Sequence, residues 1–314
     1  MNPWAPGSAC TPSGCVAHTA PPVRPAPALR RTAAFTRELA GALRDGDGIA
    51  RPEVLRRRAR ALLDALGVRL EIPDGTVLSA PDGPGARGEP APGTLVVANH
   101  VSWLDAVVLL AVEPVTLLAK REVGDWPVLG PMVRRAGTRF IDRGSLRGLP
   151  GTVETLAGLL RTGRSVAVFP EGITHCSAPG GRFRPAAFQA ALDAGAPVRP
   201  VTLGYEQAGV PSTVAAFVGE DGFGGSLRRV LTARALTVRV RVHPPLRTAP
   251  GADDRRSLAA RAQALVRGTD PPAHPAGPRP STPCPAGPRP GDGPPGRAPA
   301  AVPAGRAGRD PARA

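Results

Sequence analysis

Apolar positions along the chain change their spacing several times, and each change marks an element. In "EVLRRRARALLDAL", residues 53 to 66, Leu55, Ala59, Leu62 and Leu66 recur at helical spacing, while Arg56, Arg57 and Arg60 fall largely off that stripe. Pro52 suits the first position of this helix and Gly67 its stop. A weaker helical pattern precedes it, from about Leu29 to Leu43. "VRLEI" at 68 to 72 then alternates as a strand does and meets a turn signal at Pro73-Asp74-Gly75. Beyond it, short apolar runs predict strands at 94–98, 115–119, 138–142, 165–169, 198–204 and 235–243. Helical patterns fall between and after them, near 102–112, 128–136, 150–162, 184–194 and 254–267. Continuous apolar strands alternating with helices predict a single α/β domain, its mostly parallel sheet flanked by helices. Functional groups in such sheets gather where strands end and loops begin.

The two ends of the chain fall outside this pattern. Residues 1–27 and 268–314 are dominated by Pro, Gly, Ala and Arg, with "PAGPRP" at 275–280 and again at 285–290. Such segments have too little apolar bulk to offset the entropy of ordering and are expected to be disordered. The predicted organisation is therefore a disordered Pro-rich N-terminus (1–27), amphipathic helices (28–67), one α/β domain (68–267) and a disordered tail (268–314). With 314 residues, 42% of them hydrophobic, the chain has ample material for that core.

The formal charge of +15 changes this picture little. Lys120 is the only lysine, so the basicity is an arginine bias in a chain equally rich in Ala, Gly and Pro. Aromatic residues, at 4%, are too few for base-stacking platforms, and no nucleic-acid partner is expected. Cys10, Cys15, Cys176 and Cys284 lack zinc-site spacing and predict neither a metal site nor a disulfide framework. There is no N-terminal apolar leader, and no apolar run approaches the roughly 20 residues of a membrane span. The expected location is peripheral, on the cytoplasmic face of a membrane, with no transmembrane segment. The arginine-bearing helix at 53–66 has two readings: lying in the interface of an anionic membrane, or packing on the domain with its arginines solvated.

The chemistry concentrates in "TLVVANHVSWLDAVVLL", residues 94 to 110, where Asn99, His100 and Asp105 interrupt an apolar run. Polar groups in such a place need partners. Five residues of ideal helix turn the chain about 500°, leaving His100 and Asp105 about 140° apart if both were helical. His100 therefore belongs in the turn after the strand, with its ring reaching back to Asp105 on the first helical turn. An Asp–imidazole bond would fix the tautomer and orientation of the ring. Ser102-Trp103-Leu104-Asp105 also reads as a capping box. Ser102 lacks a G-x-S-x-G elbow and reads as a helix cap rather than a nucleophile. Cys176 beside His175 lacks the arrangement of a thiolate and its base, which usually come from different parts of a fold.

Other strand ends carry chemistry too. Asp142-Arg143 closes the strand at 138–142 with a planar cationic fork suited to phosphate or carboxylate. Phe169-Pro170-Glu171-Gly172 closes the strand at 165–169 with a carboxylate and a glycine that admits close backbone approach to a ligand. Arg199-Pro200-Val201 opens the next strand, where proline suggests a sheet edge.

In order and spacing these blocks resemble the glycerolipid acyltransferases, the family that includes lysophosphatidate (1-acylglycerol-3-phosphate) acyltransferase. "NHVSWLD" (99–105) matches its N-H-x-x-x-x-D block, followed by "FIDR" (140–143), "FPEG" (169–172) with "FRPAAF" (183–188), and "RPVTL" (199–203). The resemblance implies an O-acyltransferase of phospholipid biosynthesis that uses no cofactor beyond its acyl donor. A fatty acyl group would pass from acyl-CoA or acyl carrier protein to the free hydroxyl of a lysophospholipid such as 1-acylglycerol-3-phosphate. It also implies His100 as general base with Asp105 supporting it, and acceptor binding by Arg143 and Glu171, with Asn99 and Gly172 beside them. One departure stands out. The family's F-P-E-G is often followed by Thr-Arg-Ser, whereas here the chain reads Ile173-Thr174-His175. Arg184, with Arg182 near it, is the expected substitute; alternatively the acceptor is another lysolipid, such as lyso-ornithine lipid. A non-catalytic lipid-binding module of the same fold is the competing reading, against which intact His100 and Asp105 argue.

Overall fold

The computed structural model describes residues 9–80, 91–126, 129–141, 147–177, 180–248 and 253–268. Helices α1 (Pro12–Cys15), α2 (Pro25–Arg44) and α3 (Pro52–Leu66) lead into strand β1 (Val68–Glu71). There follow β2 (Leu95–Ala98), α4 (Leu104–Val112), β3 (Thr116–Lys120), α5 (Arg121–Gly124), α6 (Leu129–Arg135), β4 (Arg139–Ile141), α7 (Leu149–Arg161) and β5 (Val166–Val168). The chain continues through α8 (Ala186–Ala194), β6 (Val198–Gln207), β7 (Val210–Pro211), α9 (Phe223–Thr232), β8 (Leu236–Val242) and α10 (Arg255–Arg267). Among the described residues the strands form one sheet in the order β1-β8-β6-β2-β5-β3-β4, with β7 hairpinned onto β6. Strands β6, β2, β5, β3 and β4 run parallel, while β8 is antiparallel to β6 and carries β1 in parallel beside it. The sheet is thus mostly parallel, as the sequence predicts.

The apolar run of β2 explains why it lies at the centre. Its four residues are all buried, and they alternate between faces. Val96 and Ala98 enter a core shared with Leu63 and Leu66 of α3 and Leu104, Val108 and Leu109 of α4. Leu95 and Val97 enter the opposite core, with Leu156 and Leu160 of α7, Phe188 of α8, and Leu258 and Ala262 of α10. A strand covered on both faces needs no polar side.

Helix α3 resolves part of its double reading. Leu55, Ala59, Leu63 and Leu66 are buried, and Arg60 donates to the Ala111 carbonyl at the end of α4 (2.9 Å). Arg58 clamps α3 to the end of α2 through Asp45 (2.6 and 3.1 Å) and Glu38 (3.2 Å). Arg56 and Arg57 remain exposed. No helix among the described residues is long and apolar enough to cross a membrane.

Two expectations need correction. Residues 9–24 are not disordered: the segment is pinned along the body by Ala17 N–H to Thr213 Oγ1 (3.0 Å), Thr19 N–H to Gln207 Oε1 (2.9 Å) and Val23 N–H to the Thr232 carbonyl (2.9 Å). Its composition is too poor to build a core, but side-chain acceptors on β6 and its neighbours satisfy its backbone, and Cys10 is buried in the core that contains α4. Nor is the strand carrying Pro200 an edge. It lies between β2 and β8, and the Pro200 carbonyl accepts from His243 N–H (2.9 Å). Residues 269–314 lie outside the described residues.

Candidate active site

Strands β2 and β5 pair in parallel, Val97 opposite Val168, so the segments that follow them open side by side. Their register brings Asn99 and His100 against Phe169–Gly172. Asn99 is buried, and its side chain brackets one residue of β6, donating to the Leu203 carbonyl (2.9 Å) and accepting from Leu203 N–H (2.8 Å). The carboxamide thus extends the ladder after the main chain of β2 has turned away. Asn99, expected at the substrate, bonds the sheet through both ends of its amide.

His100 is held from several directions. Its N–H donates to Glu171 Oε2 (2.8 Å), and its carbonyl accepts from His175 N–H (2.8 Å). The imidazole stacks on the Phe169 ring, with centroids 4.0 Å apart and planes at 11°. Its Nδ1 lies 2.8 Å from Asp105 Oδ2. That carboxylate, completely buried, also accepts Val101 N–H (2.7 Å) and Ser102 N–H (2.9 Å) on Oδ2 and the Tyr205 hydroxyl (2.6 Å) on Oδ1. Asp105 thus holds the turn before α4 and orients the imidazole, but the full capping box does not form: α4 starts from Trp103, and Asp105 N–H donates to the Ser102 carbonyl (3.1 Å) rather than to its hydroxyl. With backbone and phenol donors converging on it, the ionised, acceptor-only carboxylate suits the site, and Nδ1 is then the protonated ring nitrogen. Nε2 is left to accept a proton, on a side chain that keeps 17% of its surface exposed.

Glu171 sits behind this pair. It is 4% exposed, and it accepts the N–H groups of His100 and Gly181. Burial pushes its pKa up to about 8, helped by the nearby Asp105 charge, while the His100 and Gly181 N–H groups and Arg267 pull the other way. Gly172, at φ +78°, makes the left-handed turn that returns the chain after Glu171. A side chain on Gly180 would collide with Glu171, its Cβ falling 1.8 Å from Oε1. Its carboxyl group ties the His100 turn to the 180–181 turn. Arg267, at the end of α10, closes the same turn from outside by donating to the Gly180 (3.3 Å) and Gly181 (3.0 Å) carbonyls.

Of the remaining expected site residues, Arg184 has an exposed side chain, and its N–H donates to the Pro170 carbonyl (2.9 Å), so it stands beside the F-P-E-G turn. Arg143 lies outside the described residues. Tyr205, Phe169, His175 and Arg267 escape the sequence reading. Tyr205 carried a signal, being the only tyrosine in the chain and lying two residues beyond the "RPVTL" block. Burial beside Asp105 raises its pKa well above the ordinary phenol value, so it remains a donor. Burial, with the His100 and Arg267 charges adding to it, lowers the pKa of His175.

An imidazole anchored by a buried carboxylate at a strand end is equipment for moving a proton on and off oxygen or sulfur. A family model described as Acyltransferase matches residues 85–204, which contain this constellation. The 1-acyl-sn-glycerol-3-phosphate acyltransferase of Neisseria meningitidis is 37% identical over 185 residues, covering 58% of this chain and 67% of that protein. The lyso-ornithine lipid O-acyltransferase of Pseudomonas aeruginosa is 40% identical over 174 residues, covering 55% of this chain and 66% of that protein. The chain belongs to the glycerolipid O-acyltransferase family, with the lysophosphatidate acyltransferases and their relatives. The matched segment spans about two thirds of the length of each of these relatives.

Proposed function

We propose that the protein transfers a fatty acyl group from acyl-CoA or acyl carrier protein to the free hydroxyl of a lysolipid at an anionic membrane surface. The observation that carries this reading is the chain Tyr205 to Asp105 to His100, with Nε2 of the imidazole unclaimed by that chain. An alcohol is about as weakly acidic as water, so an imidazole cannot fully deprotonate it before attack; the cost would be about 12 kcal/mol. The proton therefore passes to Nε2 as the oxygen attacks the thioester carbonyl, and Asp105 stabilises the imidazolium that forms. The same imidazolium then delivers its proton to the departing thiolate. No acyl-enzyme is needed. An apolar cavity of about 200 Å³, lined by Trp103, Leu62, Leu110, Trp126 and Phe223 among others, begins three residues from His100 and offers a place for the acyl chain. Arg143 and Arg184 supply the cations for an anionic head group.

Two acceptor classes are in play, because the relatives above bear both names and because Ile173-Thr174-His175 stands where an arginine is common in the family. The deciding experiment offers the purified chain one acyl-CoA, or the matching acyl carrier protein, with lysophosphatidate, other lysophospholipids or lyso-ornithine lipid. Thiol release that requires a lysolipid supports transfer, and the fastest acceptor names the substrate. Lipid binding without thiol release from either donor overturns the catalytic reading in favour of a binding module.

A further inference from the structure

Three of the four cysteines in this chain meet at one point. Cys10 precedes and Cys15 ends the single turn of α1, whose start is capped by Thr11: its Oγ1 accepts Gly14 N–H (3.1 Å), and its carbonyl accepts Cys15 N–H (3.0 Å). That turn folds both cysteines of the N-terminal segment onto the same spot. Cys176 arrives from the loop after F-P-E-G, more than 160 residues away. The Cys10 and Cys176 sulfurs are 3.5 Å apart, and all three sulfurs lie within 4.8 Å of one another. Cys10 and Cys176 are buried, while Cys15 is half-buried at the margin of the group.

We propose that Cys10, Cys15 and Cys176 form a three-thiolate site for a thiophilic d¹⁰ cation of the zinc type. Zn–S bonds of about 2.3 Å in a tetrahedron place neighbouring sulfurs about 3.8 Å apart, so the observed spacings need change by no more than about an ångström to reach it. Three cysteines occupy three corners, and the half-buried side at Cys15 leaves the fourth to water or a small ligand. On binding, the three S–H groups lose their protons to solvent and three S–metal bonds form; nothing is oxidised or reduced. The site joins the N-terminal segment to the loop whose His175 N–H holds the His100 carbonyl. Metal binding would fasten that segment across the back of the active-site turn without touching the reacting atoms.

The test uses the full chain carrying Cys284→Ser, reduced under argon and titrated first with Co²⁺ and then with Zn²⁺. The expected result is one cobalt per chain with thiolate-to-cobalt charge-transfer absorption, lost when one equivalent of zinc is added. Under zinc, alkylation followed by mass spectrometry should find Cys10, Cys15 and Cys176 protected together. Cys15→Ser, at a half-buried position that accommodates a hydroxyl, should keep the fold by circular dichroism and lose stoichiometric cobalt binding, as should Cys10→Ser and Cys176→Ser where they fold. A reduced, folded parent that binds no cobalt overturns the proposal. So does cobalt binding undiminished in folded Cys15→Ser, or zinc protection of fewer than three of these thiols.

Discussion

Replacing Glu171 by glutamine separates the structural task of this residue from any role at the substrate. In the folded protein its carboxyl group titrates at about 8 against an ordinary value of 4.5. An acid whose pKa is raised by folding holds its proton longer in the folded state, so between these two values the folded chain binds more protons than the unfolded one. Stability is therefore fully present below pH 4.5 and declines as pH rises towards 8. At about 1.4 kcal/mol per pH unit the whole window withdraws about 5 kcal/mol, an upper limit that rearrangement around the charged form reduces. Glutamine keeps the shape and one acceptor and has no proton to lose, so Glu171→Gln should erase this slope. His18, His175 and His243, whose pKa values are all lowered by burial, contribute the opposite slope below pH 6.5, but equally in both proteins. The difference between the two proteins isolates Glu171. Urea unfolding followed by tryptophan fluorescence from pH 4.5 to 8.5 measures it. Whatever constant offset the lost acceptor adds, the difference between Glu171→Gln and the parent should move in favour of the variant by several kcal/mol from pH 4.5 to 8.5; curves that stay parallel within about 1 kcal/mol would refute a buried, proton-holding Glu171.

Other outcomes follow from the same geometry. His100→Ala should cut acyl transfer by about 100- to 10,000-fold with the fold intact, and Asp105→Asn should fall nearly as far; turnover by folded protein is the measure. Tyr205→Phe removes one donor from a buried carboxylate and should cost about 1–3 kcal/mol of stability, read from denaturant midpoints. Arg56→Gln with Arg57→Gln should weaken sedimentation with anionic liposomes if α3 lies on the membrane, and that binding should fall with salt and survive deletion of 268–314. Liposome binding that follows the tail alone would assign membrane attachment to the arginine-rich end.

Much of the fold was legible because its signals are local. The runs that became β2, β5, β6 and β8 are apolar enough to need cover, and Pro52 and Gly67 bound α3 where the pattern places them. Helix α9 was not legible: "FGGSLRRVLT" opens with two glycines, and its packing, rather than its own propensity, makes it helical. The pinned N-terminal segment was hidden for a related reason, since composition reports what a segment can bury and says nothing of acceptors such as Gln207 and Thr213 supplied from afar. At the site, His100 and Asp105 could be paired from turn geometry alone. Tyr205, Arg267 and the meeting of Cys10 with Cys176 depend on strand order and loop return, which spacing along the chain does not encode.

Under the proposed mechanism, the amide of Asn99 bears on which molecule attacks the thioester. A strand that stops in the middle of a sheet exposes the next peptide of its neighbour, and an exposed buried-level peptide recruits water. Here that peptide is Leu203, on the strand next to β2; under the proposed mechanism an ordered water there would be a competing nucleophile, and hydrolysis would waste the donor. Asn99 occupies both the N–H and the carbonyl of Leu203, the groups such a water would bond. If the proposed mechanism holds, the sheet's stitching would also favour a lipid hydroxyl over solvent as the acceptor of the acyl group.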